Sequence, residues 1–236
     1  EFLGNAQRRS NILGNLQERK RHDWDRFTGI ALDTTNRWAV SVPGAGATIA
    51  ISEVQGGSCL FTTGTVDNDS EMLASAIIYS GSKLAIVEWR ITITDVSGTA
   101  LFVGFSDAKS EGNNSIAIHY LDNILTTVAA DAVGFVIDAD HATSSIMCTS
   151  VKADVDTTPV DTAVDWADGE TRILRIVLDS SGHAVFYMHD TAYNLVGVWR
   201  IASALTAATL LCATVQAMTR ANDGANTVRV LSYDTW

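Results

Sequence analysis

Residues 83–94 read KLAIVEWRITIT. Leu84, Ile86, Glu88, Arg90 and Thr92 alternate along this stretch with Ala85, Val87, Trp89, Ile91 and Ile93. Successive side chains of a β-strand point to opposite faces, so one wholly apolar set meets a core and a mixed set faces away from it. Glu88 and Arg90 share the second face, and an exposed ion pair between them is the plain reading.

Outward from this strand, residues 171–190 read TRILRIVLDSSGHAVFYMHD, a hairpin whose Ser-Ser-Gly at 180–182 supplies the turn. Period-two patterns or short apolar runs mark further strands near 37–42, 47–52, 58–63, 71–79, 99–105, 115–120, 132–138, 144–152, 193–200, 209–218 and 226–234. Turn formers separate them, among them GAG at 44–46, SG at 97–98 and NDG at 222–224. Strands at spacings near a dozen residues, without helical patterns between them, argue for an all-β sandwich or barrel. There is no fixed-period repeat and no linker, so residues 30–236 read as one domain.

Residues 1–29 differ. NAQRRSNILGNLQERKRHDWDRF, at 5–27, is the only stretch with helical character, with Ile12, Leu13 and Leu16 on one side. This stripe is too small to fold alone, so the segment reads as an extended, partly helical arm that lies on something else. Residues 1–27 carry six basic and four acidic groups, a charge of +2, and the other 209 carry ten and 23, a charge of −13. Two readings of the arm stand: a strap over its own sandwich, or an extension that docks on another subunit. In the second, Arg8, Arg9, Arg19, Lys20 and Arg21 meet acidic groups, and Ile12, Leu13, Leu16 and Trp24 supply the apolar anchor.

Composition narrows the classes. Of 236 residues, 47% are hydrophobic and 18% charged, which excludes intrinsic disorder. No apolar run reaches the length of a membrane-spanning helix, and a net charge of −11 argues against a nucleic-acid surface. The three cysteines, Cys59, Cys148 and Cys212, are an odd, widely spaced set within apolar runs, which reads as buried thiols and a reducing compartment. The first 27 residues hold no apolar stretch of signal-peptide length.

Five segments in order resemble the concanavalin-A-like jelly-roll domains of bacteriophage virion proteins: GGSCLFTTGTVDNDSEML at 56–73, LAIVEWRITITDVSGTALFVGFSDA at 84–108, DAVGFVIDAD at 131–140, DGETRILRIVLDSSGHAVFYMHD at 168–190, and NTVRVLSYDTW at 226–236. The resemblance implies a two-sheet antiparallel jelly roll, often in a capsid decoration protein, head fibre or tail protein. One departure stands out. Where the family carries a glycine turn after the FYM strand, this chain has HDTAYN at 189–194.

The search for chemistry finds no nucleophile elbow, no phosphate-binding loop and no E-x-D-x-x-E carboxylate strand of the kind jelly-roll glycanases use. His183 and His189 are too far apart along a strand to share a metal. Acidic clusters at Asp154–Glu170, at Asp67, Asp69 and Glu71, and at Asp138 and Asp140 are either solvated loops or calcium holders, and no EF-hand spacing is present. Trp166, Tyr193 and Trp236 are candidates for a glycan platform, with core packing as the alternative.

The expectation is therefore a non-enzymatic virion protein with no cofactor. It would be a decoration or cement subunit on the outer capsid surface, assembled in the host cytoplasm, docked on the major capsid protein through its arm and forming a homotrimer. The alternative is a carbohydrate-binding, lectin-like head-fibre or tail protein.

Overall fold

The structure, a computed structural model, describes residues 23–52, 56–112, 114–220 and 225–235. Its strands are β1 (Asp23–Asp25), β2 (Ala39–Ser41), β3 (Thr48–Ser52), β4 (Ser58–Thr62), β5 (Ser70–Ala74), β6 (Ile86–Ile93), β7 (Thr99–Ser106), β8 (Ile118–Leu121) and β9 (Ile124–Thr127). They continue as β10 (Ala132–Asp138), β11 (Ser145–Lys152), β12 (Val155–Asp156), β13 (Val160–Asp165), β14 (Thr171–Leu178), β15 (Ala184–His189), β16 (Leu195–Ile201), β17 (Cys212–Thr219) and β18 (Thr227–Thr235). One sheet has the order β16-β15-β14-β6-β18-β4-β3, with β1 also on β18. The other has the order β12-β11-β10-β7-β17-β5-β2, with β13 also on β11. All pairings are antiparallel, so the expected two-sheet jelly roll is what the chain forms.

The alternation is realised from Ile86 to Ile93, after a 3-10 turn at Gly81–Lys83. Val87, Trp89, Ile91 and Ile93 are completely buried between the sheets. Opposite them, β7 sends Leu101, Val103 and Phe105 inward. An aromatic cluster ties one end of the sandwich together: Trp38 lies 4.9 Å from Tyr233 in an edge-on contact, and Tyr233 lies 4.5 Å from Trp89, centroid to centroid. Ala100, Phe102, Val136, Met147 and Met218 point the other way from the second sheet. The β8–β9 hairpin covers them with Ile116, Ile118 and Tyr120. Gly104 and Gly134 pair directly between β7 and β10, and a Cβ at Gly134 would meet the Phe102 ring at 2.5 Å.

Four expectations are corrected. The strand near 71–79 stops at Ala74, because the Ser75 hydroxyl takes the Ala213 N–H and breaks the ladder; the chain rejoins at a Tyr79–Leu211 bridge. The acidic stretch 154–170 is no free loop. Val160, Thr162 and Val164 have period two, and the Thr162 hydroxyl donates to the Ile146 carbonyl 2.6 Å away, so β13 joins β11. Glu88 is buried and pairs with Arg175 across the ladder instead of with Arg90. Last, β1 lies within the stretch assigned to the arm: it pairs with β18, and Phe27 enters the core. The rest of the arm, including Arg8, Arg9, Ile12, Leu13, Leu16, Arg19, Lys20 and Arg21, lies outside the described residues.

Two buried ionic groups contrast. Arg220 is 1% exposed and grips Asp138 through Nε and Nη2, each at 2.8 Å. It also donates to the Asn68 side chain and the Tyr120 carbonyl, and lies 3.4 Å from Asp140. One guanidinium thus joins the ends of β10 and β17 to the β8 hairpin and the 64–69 loop. Arg220→Met should lower stability by about 3–5 kcal/mol, because it leaves the Asp138 carboxylate buried and unpaired. Pairing it with Asp138→Leu should recover much of the loss. A chemical denaturation midpoint unchanged by the single substitution would refute this.

Glu71 is the opposite case. It is 1% exposed, and neither carboxyl oxygen has a hydrogen-bond partner. Burial, with Asp69 nearby, pushes its carboxyl up from 4.5 to about 9. The folded-state value lies above the unfolded one, so this group's contribution is whole below about pH 4.5 and is lost as pH rises toward 9. At pH 7 the deficit is roughly 3 kcal/mol. Glu71→Gln should therefore match the wild type near pH 4.5 and exceed it increasingly up to pH 9. Parallel stability–pH curves for the two proteins would show that Glu71 carries no such load.

Candidate functional site

Because the apolar half of β6 points inward, its polar half is forced onto the outer face of the first sheet. Register then builds a row across six strands. Trp24 on β1 faces Asp234 on β18, which faces Glu88 on β6, and Glu88 faces Arg175 on β14. The row continues through Tyr187 on β15 to Val198 on β16. At the usual strand spacing, Trp24 and Tyr187 stand roughly 19 Å apart. Trp24, proposed as an apolar anchor of the arm, is 55% exposed at one end of this row.

Glu88 is its centre. Its Oε2 accepts from Arg175 Nε at 2.7 Å and lies 2.5 Å from Nη2, so the guanidinium fork fixes the orientation of the carboxyl group. Oε1 accepts a longer bond, 3.4 Å, from the hydroxyl of Tyr193. Tyr193 belongs to the β15–β16 turn, whose sequence lacks the family's glycine. The Asp190 carboxylate closes that turn by accepting from the backbone N–H groups of Ala192 at 2.8 Å and Asn194 at 2.9 Å. Tyr193 takes the left-handed conformation, φ +64°, that glycine would fill. The strained residue is the one whose ring crosses the face, 6.3 Å from the His189 ring. Burial pushes its hydroxyl up, with Glu88 and Asp234 adding to the rise while Arg26 and Arg90 oppose it.

Residues of this face line two hollows. One, about 390 Å³, is lined by Ile86, Arg175, Val177 and Tyr187. The other, about 270 Å³, is lined by Arg26, Gly56, Gly57, Arg90 and Leu231. The face thus offers exposed rings at intervals, with charged donors and acceptors between them.

Of the rings considered for a glycan platform, Tyr193 is exposed and Trp166 is not. Trp166 is 3% exposed, packs into the core and donates its indole N–H to the Glu170 carbonyl. Only its edge floors an end cleft of about 310 Å³ beside His141, Thr143 and Asp168. Trp236 lies outside the described residues. Sequence reasoning missed Asp234 and Arg175 as neighbours of Glu88, and Tyr187 beyond Arg175, since only register joins them. As for calcium, among the described residues no three His, Cys, Asp or Glu side chains converge in an arrangement able to hold a metal ion. Asp138 is engaged by Arg220, Asp168 accepts the Val96 N–H, and Asp161 the Ala163 N–H.

No family model and no curated protein matches the chain. Solved structures do match. A protein of unknown function from Shewanella oneidensis MR-1 is 9% identical with a TM-score of 0.60, over 96% of this chain and 92% of that one. Lectin II from Ulex europaeus is 10% identical with a TM-score of 0.57, over 92% and 97%. A structure reported with endo-acting O-glycanases of the human gut microbiota is 9% identical with a TM-score of 0.60, over 90% and 97%. These likenesses show the fold alone, a two-sheet jelly roll of the kind lectins have, and nothing in them points to a virion or capsid role.

If Tyr193 is kept for its ring, Tyr193→Gly should relieve the left-handed strain and leave stability unchanged or raised by up to about 1 kcal/mol. A loss above about 2 kcal/mol on denaturation would make the ring a packing element instead.

Proposed function

We propose that this protein is a carbohydrate-binding, lectin-like protein that holds an extended glycan across the outer face of the first sheet. The observation that carries the reading is the in-register row Trp24–Asp234–Glu88–Arg175–Tyr187, with Tyr193 arched over its centre. Aromatic rings stack on the apolar faces of sugar rings, and oriented carboxylate and guanidinium groups bond their hydroxyls. The length of the row suits several linked sugars rather than one. The fold supports the same reading: the lectin UEA-II is described in complex with galactose.

Among the structural neighbours are glycoside hydrolases as well as lectins. The face does bring a second carboxylate, Asp234, opposite Glu88. However, both Glu88 oxygens are engaged, Oε2 by Arg175 and Oε1 by Tyr193, whereas hydrolysis needs two carboxyl groups facing the scissile bond. The arrangement favours holding a glycan over cleaving it.

Calorimetric titration of the intact chain with a panel of oligosaccharides is the test. A ligand should bind with an affinity that rises with chain length, and Trp24→Ala and Tyr187→Ala should each weaken it about tenfold. No binding across the panel, or binding indifferent to both substitutions, would overturn the reading; release of reducing ends would replace it with hydrolysis.

A further inference from the structure

The outer face of the first sheet has a charge balance opposite to that of the chain. The whole sequence carries −11. This face nevertheless gathers Arg26, Arg90, Arg175, Arg200 and Arg229 against Glu88 and Asp234. The arginines are not equivalent. Elsewhere Arg37, Arg172 and Arg220 are paired with carboxylates, and Arg175 is paired with Glu88. Arg26 and Arg90 line one hollow, and among the described residues neither makes an ion pair. Arg90 Nε is moreover buried with no acceptor. A buried guanidinium N–H without a partner is costly unless something supplies one.

The hollow is built by backbone devices. β18 changes register between Val230 and Ser232, and this bulge puts Leu231 into the lining between β6 and β1. Gly57 has φ +74°, and a Cβ there would sit 2.6 Å from the carbonyl oxygens of Arg26 and Phe27. Only glycine lets the 26–27 segment lie against the start of β4, which places Arg26 across the hollow from Arg90. Arg90 lies two residues from Glu88 on the same face of β6, so the hollow adjoins the centre of the row.

We infer that the Arg26–Arg90 hollow receives the acidic substituent of an anionic glycan, a carboxylate or a sulfate, on the sugar next to the one beneath Tyr193. This rests on the glycan reading and narrows its ligand class. A planar guanidinium fork matches the oxygens of such a group, and the hollow of about 270 Å³ accommodates it.

The experiment compares three probes on the full chain by calorimetry: oligogalacturonate, its neutral methyl ester of the same length, and a heparin-derived sulfated oligosaccharide. At least one acidic probe should bind roughly ten- to a hundredfold more tightly than the neutral one, with a preference that shrinks as salt rises. Which acidic probe is favoured distinguishes carboxylate from sulfate. Arg90→Gln should abolish the preference and leave neutral binding intact, while Arg200→Gln, at the far edge of the same face, should leave the preference in place. Equal affinity for neutral and acidic probes, or a preference untouched by Arg90→Gln, overturns this inference alone. Absence of binding to all three probes and to the wider panel overturns the glycan reading with it.

Discussion

The central position of β6 in its sheet is the constraint on which the rest depends. It pairs with β14 along one edge and β18 along the other, so its side chains have only two directions to take. Four of them, Val87, Trp89, Ile91 and Ile93, carry enough apolar surface to settle which direction is inward. A slip of one residue would expose Trp89 and bury Arg90 as well as Glu88 in the core, so register is strongly specified. Once it is, Glu88 has no choice of neighbours: Arg175 and Asp234 arrive from strands 87 and 146 residues further along the chain. The candidate face is thus a by-product of core burial, with the ion pair added on the far side of the same strand.

Polar groups inside the sandwich show how the other sheet is held. The outer surface of the second sheet is closed by a hairpin that has to be fastened at its ends, and Arg220 does this through oxygens of four residues, Asp138, Asn68, Tyr120 and Asp140. A charge so deeply buried is tolerable because every donor direction meets an acceptor. Glu71 lacks that compensation and keeps its proton instead. Two buried ionisable residues, both in strands or at their ends, therefore have opposite consequences, decided by what the neighbouring loops bring to them.

Much of the fold was legible in the sequence because strand formation with one buried face leaves a local trace. KLAIVEWRITIT, the 171–190 hairpin and the apolar runs of β7, β10 and β17 all carry it. Where the signal failed, the cause was specific. A serine hydroxyl took a ladder N–H at Ser75 and shortened β5. The alternation of Val160, Thr162 and Val164 was masked by Asp161 between them and Asp165 beside them. Trp166 was read from its acidic neighbours, but its indole turns back under the 165–170 turn. At the β15–β16 turn, the absence of glycine signalled a departure without saying which one; only the structure shows a tyrosine held in the left-handed region with its ring over Glu88.

By itself the sequence determined an all-β chain, sandwich or barrel, and the inward set of its central strand. These follow from the period of the pleat and the cost of exposing apolar surface, which act over a few residues at a time. The identity of the site was decided only by tertiary structure. Trp24, Asp234, Glu88, Arg175 and Tyr187 are scattered from residue 24 to residue 234 and form one row solely because hydrogen-bonded register lines them up. Register is a property of paired strands, and no single strand's pattern contains it.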